Sequence, residues 1–101
     1  MKYQIIKQPS KGTVNILKNR IGFTAEPFSE KFSAIGLVQG AIIDMIVASD
    51  IAEKADNVKA FDIKESCPQN MVLLAIFGDT AGIEDAIKEI KGKIEMNKEL
   101  K

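Results

Sequence analysis

Two continuous apolar runs stand out along the chain, and they predict two buried strands. Residues 71–77 contain six apolar residues around Ala75, and residues 32–38 form a second run that is punctuated by Gly36. Uninterrupted runs of this length are typical of strands that are buried on both faces of a sheet. A shorter apolar pattern over residues 58–63 predicts a third strand, which precedes the run at residues 71–77.

A helical pattern follows the first of these strands, from about residue 41 to residue 55. Its first half is apolar nearly all round, through Ile42, Ile43, Met45, Ile46 and Val47. A helix of that kind is covered on more than one side. Asp50, Glu53 and Lys54 give its second half a face in contact with water, so the two halves of this helix are predicted to differ.

A second helical pattern begins at Asp79 or Thr80, either of which can cap a helix. Isoleucines then recur every three or four residues, at Ile83, Ile87, Ile90 and Ile94. This spacing places them on one face of a helix. Lysines and glutamates occupy the positions between them, so this helix is predicted to bury one face and expose the other.

The N-terminal part of the chain carries weaker patterns. Residues 3–7 predict a short strand, residues 9–12 a turn, and the alternation over residues 13–17 a second strand or edge ribbon. Residues 21–31 contain Gly22, Pro27 and Ser29 and are interpreted as a loop or a single helical turn.

The element order gives a fold class. The chain is predicted to be one α+β domain over residues 1–101, with N-terminal strands and a loop over residues 1–31. A β-α-β-β-α core follows over residues 32–96. Its helices are expected to pack on one face of a mostly antiparallel sheet.

Composition excludes several functions. Among 101 residues, 14 basic side chains balance 14 acidic ones, which leaves no charge to favour nucleic acid or an anionic membrane. The chain has no histidine, and hence no Cys-His or Ser-His pair, so it is not expected to be an enzyme. One cysteine cannot form a disulfide within the chain, and neither a signal peptide nor a membrane span is apparent, so we expect a cytoplasmic protein.

Three stretches carry a resemblance to the bacterial microcompartment shell domain. Residues 34–38 look like the first strand of that family, and residues 48–58 look like the end of its first helix and the entry to the next strand. Residues 78–83, with Ala86, look like the start of its second helix. The resemblance implies a structural subunit of a microcompartment shell, assembled as a cyclic homohexamer that tiles with other shell proteins around enzymes.

One departure from the common form of the family indicates a circular permutation. Here 31 residues precede Phe32, and nothing after Ile94 predicts a strand. Residues 5–9, followed by Gly12 and Val14, are similar to the N-terminal segment of permuted shell proteins. Lys54 matches the lysine that the family places at hexamer edges.

The break between the last two predicted strands contains the single cysteine, Cys67. The family places its pore loop here, and in this chain the loop contains Glu65, Ser66, Cys67, Pro68 and Gln69. Cys-Pro-Gln resembles the pore motif of a permuted subgroup found with glycyl-radical microcompartments, which binds an iron–sulfur cluster. The resemblance implies a [4Fe–4S] cluster that is shared between subunits through Cys67, for electron or metabolite transfer. Glu65 departs from that motif, which has glycine at this position.

Two alternatives remain open on the sequence. The pore could be a plain metabolite pore in which Cys67 is an ordinary small side chain. The chain could also be a small regulatory ligand-binding domain of related topology, monomeric or dimeric, with its ligand between subunits.

Overall fold

The computed structural model describes residues 1–21, 32–55, 58–63 and 71–99. Within them, strands and helices follow one another in the order β1 (Lys2–Lys7), α1 (Lys11–Ile21), β2 (Ala34–Ala41), α2 (Ile42–Lys54), β3 (Val58–Ile63), β4 (Met71–Gly78) and α3 (Thr80–Glu99). The predicted strands at residues 3–7, 58–63 and 71–77 and both predicted helices are confirmed. The strand predicted over residues 32–38 begins and ends slightly later.

The strands form one four-stranded antiparallel sheet in the order β1-β2-β4-β3. The two long apolar strands, β2 and β4, lie side by side in its centre, with Ile35 opposite Phe77 and Val38 opposite Leu74. β1 pairs with β2 at one edge and β3 pairs with β4 at the other. β1 of the N-terminal segment is therefore part of the same sheet as the strands of the predicted core.

α2 and α3 pack on one face of this sheet, as predicted. Ile83, Ile87, Ile90 and Ile94 of α3 are all buried against it. The approach is closest at Gly36 of β2, where a β-carbon would lie 2.9 Å from Cγ2 of Ile83 and 3.1 Å from Cδ1 of Ile87. A side chain at this position would push α3 away from the sheet.

The prediction of a strand at residues 13–17 is wrong, because these residues belong to helix α1. The hydroxyl of Ser10 accepts a hydrogen bond from the Thr13 amide at 3.2 Å, which is the bond of a helix N-cap. Lys18 and Arg20 occupy the last turn, where cations interact favourably with the helix dipole. The alternation of polar and apolar residues was too short to distinguish a strand from one turn of a helix.

α1 also corrects the prediction that the helices share one face of the sheet. Its Leu17 is buried in a second cluster with Ile35, Ile63, Ala75 and Phe77. These strand residues alternate with those that face α2 and α3, so α1 covers the opposite face. The domain therefore has three layers, a helix pair, the sheet and a single helix. No helix in the described part of the chain is long and apolar enough to cross a membrane.

Candidate functional site

The predicted pore loop connects the end of β3 to the start of β4, at one end of the sheet. Ile63 is the last residue of β3 and Met71 the first of β4, and the two strands are antiparallel neighbours. The residues between them, among them Glu65, Ser66, Cys67, Pro68 and Gln69, lie outside the described residues. What the structure gives is the position of the two strand ends that flank them.

This end of the sheet is also where the subunit exposes most of its apolar surface. Among the described residues, five of the six large apolar side chains that are exposed lie here: Met1, Ile42, Ile43, Ile46 and Met71. Met71 pairs with Ala41, after which α2 begins, and Met1 lies beside Gly40. The sixth, Ile16, is on α1.

The exposed isoleucines belong to the half of α2 that the sequence predicted to be covered on more than one side. The subunit covers one side only: Met45 and Ala48 are buried, whereas Ile43 and Ile46 are 73% and 64% exposed. Isolated apolar side chains are common on protein surfaces, but contiguous patches mark interaction sites. We call Ile42, Ile43 and Ile46 the α2 patch.

A shallow groove of about 210 Å³ runs along the α2 patch, between α2 and the two neighbouring strands. Its floor is apolar, formed by Met45, Val72 and Leu74. Two polar side chains, Ser49 and Asp62, stand at its rim. The Ser49 hydroxyl donates a hydrogen bond to the Ile46 carbonyl oxygen at 2.9 Å, so it is satisfied within its own helix. The groove has the shape and chemistry to receive an apolar side chain.

Lys54, predicted at the edge of a hexamer, ends α2 at the opposite end of that helix from the patch. Its ammonium group lies 2.9 Å from the carboxylate of Asp50, one turn earlier, and both side chains are largely in water. The hydrogen bond and the charge of Asp50 raise the pKa of Lys54 above its ordinary value. Lys54 is therefore a fixed, exposed cation.

A hydrogen bond from β3 to Glu53, the neighbour of Lys54, protects part of the outer edge of the sheet. β3 is an edge strand, and such strands present unpaired backbone groups that can recruit another chain. The carboxylate of Glu53 accepts a hydrogen bond from the Ala60 amide of β3 at 2.9 Å. The last turn of α2 thus occupies a backbone donor of this edge.

The described residues do not form a metal-binding site. No group of three or more Cys, His, Asp or Glu side chains is placed to hold a metal ion there. The predicted ligand, Cys67, lies outside those residues, so the cluster remains a prediction.

The sequence analysis named the isoleucines of the α2 patch as part of a covered helix, but it did not predict that they form an exposed surface. The signal was the adjacency of Ile42 and Ile43 followed by Ile46, which places apolar side chains beyond the stripe of about 100° that one sheet face can bury. Which of them remain exposed depends on where β4 and β3 lie, and only the fold gives that.

Comparisons with known proteins identify the family. No protein-family model matches the chain, and no curated protein does either. The ligand-free structure of the GrpU microcompartment shell protein from Clostridiales bacterium 1_7_47FAA is 46% identical, with a TM-score of 0.72 over 94% of this chain and 93% of that one. Its counterpart from Pectobacterium wasabiae is 28% identical, with a TM-score of 0.74 over 89% and 99%.

An identity of 46% over nearly the full length of both chains goes well beyond a shared fold. The relatives are structural proteins, so the prediction that this chain is not an enzyme is confirmed. The chain belongs to the microcompartment shell proteins, and its place is in the shell of a bacterial microcompartment.

Proposed function

We propose that six copies of this chain form a flat cyclic hexamer with a pore on its sixfold axis. The observation that carries the proposal is the 46% identity to a microcompartment shell protein, because a shell is built from many subunits. Closed cyclic symmetry repeats each residue around the axis, so one short segment defines a whole ring. The pore-lining residues are Glu65, Ser66, Cys67, Pro68 and Gln69, and Lys54 lies at the outer edge, where hexamers meet other shell proteins.

The mass of the assembled protein tests the hexamer. Native mass spectrometry and analytical ultracentrifugation should both give six times the subunit mass of 11.1 kDa. A monomer or dimer at all concentrations would instead favour the alternative, a small regulatory ligand-binding domain. The shell-protein relatives already favour the hexamer over that alternative.

Circular permutation is the second part of the proposal. β1 precedes the core in sequence and yet pairs along its whole length with β2, beside α3. A strand that followed α3 would fill the same position in an unpermuted shell domain. A relinked chain that begins at Phe32 and carries residues 1–31 after residue 101, through a flexible linker, should keep the circular dichroism spectrum and the assembled mass. Loss of either would count against the permutation.

The third part of the proposal is an iron–sulfur cluster at Cys67. A cubane cluster normally takes four thiolates, and each chain has one cysteine. A ring of six copies supplies enough: three alternate Cys67 thiolates can hold three irons of a [4Fe–4S] cube, whose corner axis is threefold. If bound there, such a cluster would supply a one-electron carrier at the pore. Pro68 has a restricted backbone torsion, and Ser66 and Gln69, which are close to Cys67 in sequence, carry side chains that can form hydrogen bonds.

Anaerobic reconstitution with iron and sulfide tests the cluster. Wild-type protein should become brown, with broad visible absorption and bound iron, and Cys67→Ser should stay colourless at the same assembled mass. If wild type is as colourless as Cys67→Ser, the pore is a plain metabolite pore. In that case Cys67→Ser should also leave permeability unchanged, and the hexamer proposal is unaffected.

A further inference from the structure

The two edge strands of the sheet differ in how their charges protect them. β1 carries Lys2 and Lys7 and no carboxylate, so a second β1 that paired with it would bring like charges together. β3 carries one lysine and one carboxylate, Lys59 and Asp62, which leave the strand without net charge. Charge therefore opposes the pairing of two copies through β1 but not through β3.

The other residues of β3 favour pairing. Val58, Phe61 and Ile63 are of the types that are enriched in strands, and the strand has six residues, the usual length of one. A strand of this kind at the edge of a sheet is a template on which another chain can pair. A protection other than charge is therefore expected at β3.

The Glu53 carboxylate supplies such a protection in the middle of the strand. It accepts a hydrogen bond at 2.9 Å from the Ala60 amide, which therefore points away from β4. Backbone groups of an antiparallel edge strand alternate in direction, so those of Val58, Ala60 and Asp62 all point outwards. Ala60 is the central one of these three positions, and its amide is the one that Glu53 occupies.

We infer that Glu53 keeps β3 from pairing with the β3 of a second copy of this chain. The two strands would run antiparallel about a two-fold axis, with Ala60 of one copy opposite Ala60 of the other, because this register uses all three outward positions. The central pair would exchange two N–H···O bonds between the copies. A Glu53 carboxylate in each copy occupies the amides of both bonds, so the pair does not form.

The side chains of β3 do not oppose this pairing by themselves. In the register described, Val58 lies opposite Asp62 and Lys59 lies opposite Phe61, so no like charges meet across the contact. A shell brings many copies of one chain close together, which favours by mass action any contact that a subunit can make with itself. The inference concerns the single subunit and does not depend on the proposed hexamer.

Replacing Glu53 tests the inference, because the Ala60 amide is then open to another chain. Glu53→Ala should form particles of twice the wild-type mass and larger, with a concentration at half-association about a hundredfold lower than that of wild type, since two hydrogen bonds become available. Glu53→Gln keeps an acceptor oxygen and should behave as the wild type does. Glu89→Ala removes an exposed carboxylate from α3 and is the control for charge. Sedimentation velocity across a dilution series measures all four proteins.

A proline at the outward amide separates edge pairing from other causes of association. Ala60→Pro removes the N–H that Glu53 occupies and no bond to β4, and edge strands tolerate proline at such positions. The Glu53→Ala, Ala60→Pro double variant should therefore return to the wild-type mass, and circular dichroism checks that it is folded. The inference is wrong if Glu53→Ala keeps the wild-type distribution of masses, if Glu89→Ala associates equally, or if the double variant associates as Glu53→Ala does.

Amide hydrogen exchange gives a second measurement in case Glu53→Ala does not fold. Glu53→Asp keeps the charge and shortens the side chain by one methylene, which withdraws the carboxylate from Ala60. The Ala60 amide should then exchange about tenfold faster than in wild type, and the variant should associate in the way expected for Glu53→Ala. Equal exchange and equal association in Glu53→Asp and wild type would overturn the inference.

Discussion

Helices α2 and α3 lie side by side on the same face of the sheet, and they use their apolar residues differently. α3 has its isoleucines on a single stripe, and Ile83, Ile87, Ile90 and Ile94 are all buried by the subunit. α2 has apolar residues on both sides, and the subunit buries one side and leaves Ile43 and Ile46 in water. α3 is thus complete within one chain, whereas α2 carries apolar surface that one chain does not use.

The N-terminal ends of the two helices also differ, because only α3 has a side-chain cap. α3 begins with a side-chain cap, since the Gly82 amide donates to Oδ1 of Asp79 at 2.6 Å. α2 begins at Ile42, directly after β2, and the preceding residue, Ala41, has no side chain that can cap it. The start of α2 therefore lacks the side-chain capping bond that stabilises the start of α3.

The largest expected difference is between core and patch isoleucines. Ile90→Ala should lower the free energy of unfolding by about 2–5 kcal/mol, because it opens a cavity under α3. Ile46→Ala should change it by less than about 0.5 kcal/mol in the unassembled subunit, because the side chain is already in water. Urea denaturation at a concentration below assembly measures both. Similar losses for the two variants would show that the contrast between the helices is wrong.

A pair of glycines tests how closely α3 approaches the sheet. Gly36→Ala should cost about 1–3 kcal/mol of stability, since its methyl group would press on the buried side chain of Ile83. Gly92→Ala is the control on α3, because a β-carbon there meets nothing within 4 Å. That change should stabilise the protein by about 0.5–1 kcal/mol through helix propensity. Thermal melts of the two variants should therefore move in opposite directions.

Removing the cap of α3 should have a smaller effect. Asp79→Ala leaves the Gly82 amide without its acceptor and should cost about 1 kcal/mol. Asp79→Asn keeps an oxygen at the same place and should cost less. The comparison is made by chemical denaturation, and equal losses for the two variants would mean that the hydrogen bond is not the source of the stabilisation.

Replacing Lys54 should have the smallest effect on the stability of the subunit, and a separate effect on the assembly of hexamers into sheets. Its ion pair with Asp50 is in water, so Lys54→Ala should hardly move the thermal midpoint. The raised pKa means that any stabilisation from this pair is complete below the ordinary lysine pKa and is lost as pH rises through the raised value. If Lys54 lies at the edge of the hexamer, the variant should form hexamers but no sheets by electron microscopy. Lys88→Ala, an exposed lysine on α3, is the control and should form sheets.

Much of the fold was predictable because long, regular patterns leave few interpretations. The central strands, the amphipathic helix and its start at Asp79 follow from apolar runs and from spacing alone. The N-terminal helix did not follow, because residues 13–17 are too few to show a helical period and the cap at Ser10 was interpreted as part of a turn. For the site, the sequence singled out Lys54 and the isoleucines of α2, but not which of those isoleucines stay exposed.

The sequence by itself determined most of the elements, the absence of histidine chemistry and the resemblance to shell proteins, since each depends on residue types and their order. The tertiary structure decided which surface each residue reaches. It brought Met1, α2 and the start of β4 to one end of the sheet, because β1 pairs with β2 and β2 pairs with β4. Strand pairing joins residues that are up to 44 positions apart, Ala34 and Gly78 among them, and no local pattern contains that information. The exposed apolar side chains at this end of the sheet come together only because of that pairing.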